Sequence, residues 1–496
     1  MLSWTRDKIR LLPLIIILSG IVFRLAQYVF NRSLTEGEAP LAMNIVSRTY
    51  PDLLKPLDYV QAAPIGFLYL EKLAVDLFGN NEYALRLFPF VTGIAAIFLF
   101  YKILKYLGDF NTEIFALVFF VVNDYLIYFS SEVKPYSSDV FFCLLLLLLS
   151  VLIIRNNLKT FLLVLWGLVG AICIWFSFPT FFVFSGIGIT LLLYVIRNKN
   201  NNALIFLFIA GVLWLISMTI NYFVCLQHLT QHQGLMSFWQ KDFVPLPPKS
   251  FKEFYSLIYA LLRVFKNPGG FSIYELLFSI LSFFVGIIFL WRRKKSYALF
   301  LLIPLLITII GSGLHLYPFE GRVILFIAPI LSILVGSGIA FIYDILRRQS
   351  QVIAILVVFV LLIQPITIAV YHLIKPRAPE ELRPVLEYLR KNIKENELIY
   401  VYYGAENAFR YYQEKFPEIR KDYIAGNESR TDWTGYYEEI EKLKGNDRVW
   451  FLFSHIATHL GVNEEKLFLT YLDLFGAQIE SFQASGASAY LYHFNK

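Results

Sequence analysis

Charge is scarce in this chain. Only 16% of its 496 residues are Asp, Glu, Lys or Arg, against about 25% in an ordinary soluble domain. Cysteine is scarcer: there are three, without metal-ligand spacing, and Cys143 and Cys173 lie inside apolar runs as small hydrophobes. There is no internal repeat and no low-complexity tract. The first apolar run lacks a small-residue cleavage site; Arg32, Glu36 and Glu38 follow it instead. That run is therefore expected to stay in place as a membrane span. The formal net charge of +7 does not point to nucleic acid, because the basic residues cluster in short loops, where they fix membrane orientation.

What the chain has in abundance is apolar sequence: 57% of it is hydrophobic. The stretches 141–154 and 203–220 carry no charge at all. Runs near twenty residues match a hydrocarbon core of about 30 Å at 1.5 Å rise per residue. Lipid offers no partner to a bare peptide group, so these runs are expected to be helices. Spans are expected at 11–30, 85–107, 110–129, 140–154, 161–176, 181–196, 203–222, 273–291, 297–313, 323–345 and 352–371.

Alternate short loops carry Lys102 and Lys105, Arg155 and Lys159, Arg197 and Lys199, Arg292 to Lys295, and Arg347 with Arg348; the N-terminus adds Arg6, Lys8 and Arg10. These fall on one side, which the positive-inside rule makes cytoplasmic. Two longer outer segments, 31–84 and 223–272, also hold Lys and Arg, but long loops cross largely regardless of charge. About eleven spans put the tail outside. The tail, from 375, is ordinary soluble sequence. Residues 380–392 have helical periodicity, 398–403 and 448–454 are β-branched and aromatic, and 464–474 is again helical. Strands alternating with helices imply a small α/β domain. The expected fold class is a polytopic α-helical membrane protein with two domains: 1–374 in the membrane and 375–496 outside it.

Polar residues gather on the outer face. The loop after the first span reads Ser33-Leu34-Thr35-Glu36-Gly37-Glu38-Ala39-Pro40. Taken alone, its two acids read as a solvated loop end; the alternative is a general base for an acceptor hydroxyl. Asp58 and Gln61 follow, then Arg86 at the start of the second span, as a snorkelling interfacial cation or one facing an anionic lipid headgroup. The turn from Tyr128 to Asp139 holds Glu132, Lys134 and Tyr136, and another outer turn holds His315, Tyr317 and Arg322. Three cations, Arg86, Lys134 and Arg322, thus recur at outer helix ends, and such a set suits a lipid phosphate. His455 and His459 lie four apart without an evident third ligand, which reads as surface or packing.

The stretch from Arg32 to Gly93 resembles the first outer loop of GT-C glycosyltransferases that use lipid-phosphosugars. The similarity is to the bacterial branch related to protein O-mannosyltransferases and aminoarabinose transferases. It is carried by Ser33, Leu34, Glu38-Ala39, Asn44, Pro56-Leu57-Asp58-Tyr59, Gln61-Ala62-Ala63-Pro64, Phe78-Gly79 and Glu82 to Leu87. Further similar blocks are Tyr128 to Asp139, His315 to Phe319 with Gly321-Arg322, and in the tail Arg383 to Leu386 and Tyr400 to Tyr403. That family usually has an Asp-Glu pair in the first loop, with the Asp as presumed base. Here Gly37 stands in the Asp position, leaving Glu38 as the matching acid and Glu36 as runner-up.

The resemblance implies inverting transfer of a sugar from a polyprenyl-phosphate-sugar donor to an outside hydroxyl of a lipid, glycan or protein acceptor. It implies a multi-pass protein of the bacterial inner membrane. Arg86, Lys134 and Arg322 would bind the donor phosphate, while Asp58, Gln61, Glu132, Tyr136, His315 and Tyr317 would line the substrate site. The scheme requires no cofactor and no metal. Two other readings remain: a catalytically inactive lipid-sugar binding subunit, with Gly37 marking lost catalysis, and a lipid or polysaccharide transporter. A transporter should show ionisable residues near span middles or repeat-related halves, and few such residues occur.

Overall fold

The structure, a computed structural model, describes residues 2–227, 233–419 and 422–494. The side chains of Arg6, Lys8 and Arg10 lie outside the described residues, as do residues 228–232 of the long outer segment 223–272. The chain divides into two compact units. The first is Met1–Phe30 with Thr49–Pro376, and the second is Asn31–Arg48 with Arg377–Lys496. The start of the first outer loop therefore belongs with the C-terminal domain. Its apolar residues explain why: Leu34, Leu41, Ala42 and Ile45 are fully buried, and the helix Ala39–Ser47 packs on the helix Glu406–Gln413.

In the first unit, nine of the described helices are long and apolar enough to cross a membrane. Two shorter apolar helices, Phe110–Val122 and Thr160–Cys173, fall on the remaining expected spans. The expected span 110–129 is broken at Asn123. Its Oδ1 accepts from Leu126 N–H at 3.1 Å and starts a new helix, Asp124–Phe129. Its Nδ2 donates to the Pro268 and Gly269 carbonyls, each at 3.0 Å. An Asn side chain competes for backbone groups and so ends a helix even within an apolar run.

The basic loops do meet at one end of this unit. Lys105 pairs with Glu113 at 2.9 Å and Arg293 with Asp109 at 3.2 Å. Lys294 Nζ donates to the Tyr106 carbonyl at 2.9 Å, and the Arg155 guanidinium lies 4.5 Å from the Tyr106 ring centroid. Loops separated by nearly 200 residues thus share one face, as alternating spans require.

Small residues let two helices touch backbone to backbone. A Cβ on Gly286 would lie 1.9 Å from the Leu334 carbonyl oxygen, and one on Gly338 would lie 1.8 Å from that of Ser282. Neither oxygen can yield as a flexible side chain would, and close small-residue packing is a main source of helix association in lipid. Gly338→Ala should force the helices Leu276–Arg293 and Ala328–Gln349 apart at a penalty of about 1–3 kcal/mol. A lower unfolding temperature in detergent is the expected readout, and an unchanged one contradicts this packing.

The second unit is a five-stranded sheet of order β2-β1-β3-β7-β6. Its strands are β1 (Leu398–Val401), β2 (Tyr423–Ala425), β3 (Arg448–Ser454), β6 (Gly476–Ala484) and β7 (Ala487–Phe494); a two-stranded ribbon of β4 (Thr458–His459) and β5 (Val462–Asn463) stands beside it. β1 is parallel to β2 and β3, whereas β7 is antiparallel to β3 and β6. Alternation along the strands sends Tyr400, Tyr402, Phe451 and Phe453 to one face, where they pack with Tyr436, Ile440, Phe468 and Leu472 of the helices Thr434–Lys442 and Glu464–Phe475. The helix Leu382–Asn392 packs against β6 and β7; its Tyr388 ring stacks on Phe482 at 4.6 Å and meets Trp450 edge-on at 6.3 Å. Connections from neighbouring parallel strands depart to opposite sides between β1 and β3. The carboxyl ends of such strands are where open α/β sheets place their ligands.

Candidate functional site

In the first unit, the turn after the helix Asp124–Phe129 builds a compact polar cluster. Its Lys134 Nζ donates to Gln61 Oε1 at 2.6 Å. Gln61 reaches that position from a tight turn in which Tyr59 and Val60 both adopt left-handed backbone, at φ 59° and 55°. Non-glycine residues there carry strain that the surrounding structure must hold. Arg322 hydrogen-bonds Tyr136 and lies in the field of Glu132 and Tyr128. Tyr317 donates to the Val323 carbonyl at 3.0 Å and stands near Asp139 and Tyr136. Lys134 and Arg322 are thereby drawn to one short stretch, Tyr128 to Tyr136.

Arg86 is buried at the junction of the helices Glu82–Leu85 and Leu87–Leu107, where Arg86 and Glu71 both lie beside Tyr28. The span it opens packs on the helix Tyr136–Arg155, with Ser137 Oγ donating to the Pro89 carbonyl at 2.9 Å. His315 meets the Phe243 ring edge-on at 4.9 Å. Asp58 is exposed on the turn before Gln61.

In the second unit, the two first-loop acids have different surroundings. Glu38 is fully buried and salt-bridged to Arg32, itself buried. The same carboxylate accepts from Thr35 N–H at 3.1 Å and Thr35 Oγ1 at 3.3 Å. It lies at the N-terminal end of the helix Ala39–Ser47, where negative charge is favourable. Glu36 is half-buried at the other helix start: its carboxylate accepts from Asn407 Nδ2 and, at 3.2 Å, from Ala408 N–H in the first turn of Glu406–Gln413. Burial pushes the Glu36 carboxyl up to about 7, although both hydrogen bonds pull it down.

Arg32→Ala removes the cation beside buried Glu38. Breaking such a pair on one side typically destabilises by about 3–5 kcal/mol. A lower midpoint of denaturant unfolding for the second unit is expected, while Arg32→Lys, which keeps the charge, should fall between the two.

No protein-family model and no curated sequence matches the chain. Solved structures do. The aminoarabinose transferase ArnT of Cupriavidus metallidurans, bound to undecaprenyl phosphate, superposes with a TM-score of 0.55 at 11% identity, covering 99% of this chain and 98% of that one. An oligosaccharyltransferase of Archaeoglobus fulgidus, in complex with Zn and sulfate, matches with a TM-score of 0.53 at 12% identity over 96% of this chain and 72% of that one. The chain has the GT-C fold.

On the GT-C fold, the sequence passed over several residues that the structure brings forward. Arg24 is buried inside the first span, its guanidinium donating to the Gly20 carbonyl at 3.1 Å and lying 5.7 Å from the Phe120 ring centroid. An arginine within an apolar run was its visible signal. Glu380, Asn407 and His455 join Glu36 from the tail, and nothing in their local sequence foretells it. Among the described residues, no three His, Cys, Asp or Glu gather as a metal site would need. His455 instead pairs with Glu380 at 2.7 Å, and His459 lies in β4.

Proposed function

We propose that this protein is an integral membrane glycosyltransferase that moves a sugar, with inversion, from a polyprenyl-phosphate donor to a hydroxyl of a lipid, glycan or protein acceptor. The observation that carries the reading is the end-to-end likeness to ArnT captured with undecaprenyl phosphate, together with one turn that holds both Lys134 and the Tyr136 partner of Arg322. The reaction takes place on the non-cytoplasmic side of a bacterial cell membrane, where the C-terminal domain also lies.

In this scheme the lipid tail lies along the spans and the phosphate meets Lys134 and Arg322, with Arg86 as a third cation. A carboxylate takes the acceptor proton as the hydroxyl oxygen bonds to the anomeric carbon. The bond from that carbon to the phosphate oxygen breaks, and the polyprenyl phosphate leaves as an anion stabilised by the cations. Glu36 suits the role of base better than Glu38, because its proton affinity is near neutrality and an effective base has a pKa near the working pH. Glu38 is held by Arg32 and Thr35 and is the anchor of the loop. Asp58, Gln61, Glu132, Tyr136, His315 and Tyr317 line the substrate site.

The inactive-subunit reading has one observation on its side, the glycine at position 37. One experiment separates the two: purified protein is given radiolabelled polyprenyl-phosphate sugars and a cell-envelope extract. Label moving to an acceptor supports the transferase. Donor binding without any transfer supports the binding subunit and sinks the enzyme reading.

A further inference from the structure

Four groups from distant parts of the second unit converge beyond the carboxyl ends of β1 and β3. Glu36 comes from the first loop, Glu380 from just before the helix Leu382–Asn392, Asn407 from the first turn of Glu406–Gln413, and His455 from the turn after β3. The Glu36 carboxylate accepts from Asn407 Nδ2 and Ala408 N–H. Glu380 Oε2 accepts from the Glu36 N–H at 2.7 Å, and Glu380 Oε1 pairs with His455 Nδ1, also at 2.7 Å. The backbone and the side chain of Glu36 are therefore fixed separately. His455 does this from left-handed backbone, φ 51°, a conformation that persists in a non-glycine residue only where its surroundings hold it.

This array is not the whole of the segment's attachment. The apolar side chains Leu34, Leu41, Ala42 and Ile45 are already fully buried, and Leu34 N–H donates to Tyr412 Oη at 2.8 Å. What the polar array adds is a direction for one carboxylate. We propose that Asn407, Glu380 and His455 are positioning residues for Glu36, so that the soluble domain aims the group that takes the acceptor proton. This inference rests on the transferase reading above.

The electrostatics agree with that geometry. Burial raises the Glu36 carboxyl, the Asn407 and Ala408 hydrogen bonds and the His455 charge lower it, and the Glu380 charge raises it. His455 is itself raised, first by its hydrogen bond to Glu380, with burial and Arg430 opposing. Both groups bind a proton more tightly in the folded unit than free. For Glu36 the stabilisation is complete below 4.5 and is lost as pH rises to about 7. For His455 it is complete below 6.5 and is lost as pH rises through its raised folded value. Segment 31–48 should therefore be held more firmly at about pH 5.5 than at about pH 8, read as stronger hydrogen-exchange protection after correction for intrinsic rates.

The test is the pH–rate profile of the full-length protein with a radiolabelled polyprenyl-phosphate sugar. His455→Gln removes a cation facing Glu36, so the acid limb should move to higher pH. Each unit of that move is about tenfold in the ionised fraction, so the rate at pH ~6 should fall about tenfold while that at pH ~9 stays near wild type. Asn407→Ala should move the limb the same way, and Asn407→Gln, which keeps an amide donor, should recover part of it. A merely structural role would lower the rate evenly at every pH; an unmoved limb in both variants overturns the proposal. If the wild type transfers nothing, the transferase reading falls and hydrogen exchange decides the positioning role alone. Asn407→Ala and His455→Gln must then raise exchange in 31–48, and unchanged exchange overturns it.

Discussion

Glu36→Gln is expected to slow sugar transfer by about 10²–10⁴-fold, the usual contribution of a positioned base, with donor binding unchanged. The amide keeps the shape of the side chain and its one oxygen can still accept from either Asn407 Nδ2 or Ala408 N–H, while buried Leu34, Leu41, Ala42 and Ile45 keep the segment docked. Donor binding is spared because Lys134 and Arg322 belong to the first unit. Glu38→Gln should behave differently. It takes charge from the buried pair with Arg32, so the second unit should lose stability, and transfer should fall in step with the folded fraction. Rates normalised to folded protein discriminate the two acids. A normalised rate that is normal in Glu36→Gln and lost in Glu38→Gln reverses the assignment.

The second large effect belongs to the cations. Arg322→Ala and Lys134→Ala should each lower transfer by about 10²–10³-fold, as removal of a single preorganised charge or donor does where negative charge develops. Both should also weaken the binding of polyprenyl phosphate itself. Arg322→Lys should recover less than Lys134→Arg, because the Arg322 guanidinium hydrogen-bonds Tyr136 within the field of Glu132 and Tyr128, while Lys134 acts as a point charge beside Gln61. Gln61→Ala should mimic a weak Lys134 variant by removing one acceptor of its ammonium. Unchanged lipid affinity in both alanine variants would remove these residues from the phosphate site.

How much of this was legible beforehand depended on how local its cause was. The apolar runs set their own helices, because a peptide group in lipid must be satisfied within its own segment. The break at Asn123 was legible only in principle: an asparagine in an apolar run signals a stop, but its carbonyl partners at Pro268 and Gly269 are remote in sequence. In the tail, Arg448–Ser454 is the expected strand, whereas the first strand stops at Val401, where Tyr402 to Ala405 turn toward the next helix.

The candidate site divides in the same way. Lys134, Glu132 and Tyr136 lie on one nine-residue turn from Tyr128 to Tyr136, so their sequence neighbourhood announced them. The first-loop acids were visible as chemistry but not as roles. Glu36 and Glu38 are two residues apart and identical in type. One is an ion-paired anchor and the other a carboxylate near neutrality only because Arg32 folds onto one and residues nearly four hundred positions later close around the other.

The sequence by itself determined the apolar helices, the α/β character of the tail and the supply of acids and cations near helix ends. Those follow from hydrophobicity, periodicity and charge, which act over a few residues. Tertiary structure alone decided that residues 31–48 belong with the tail domain, that Arg86 is buried at a helix junction, and that Glu36 is held by Asn407, Glu380 and His455. Each of these depends on a contact between distant segments, and proton affinity and burial are properties of that contact rather than of the residue.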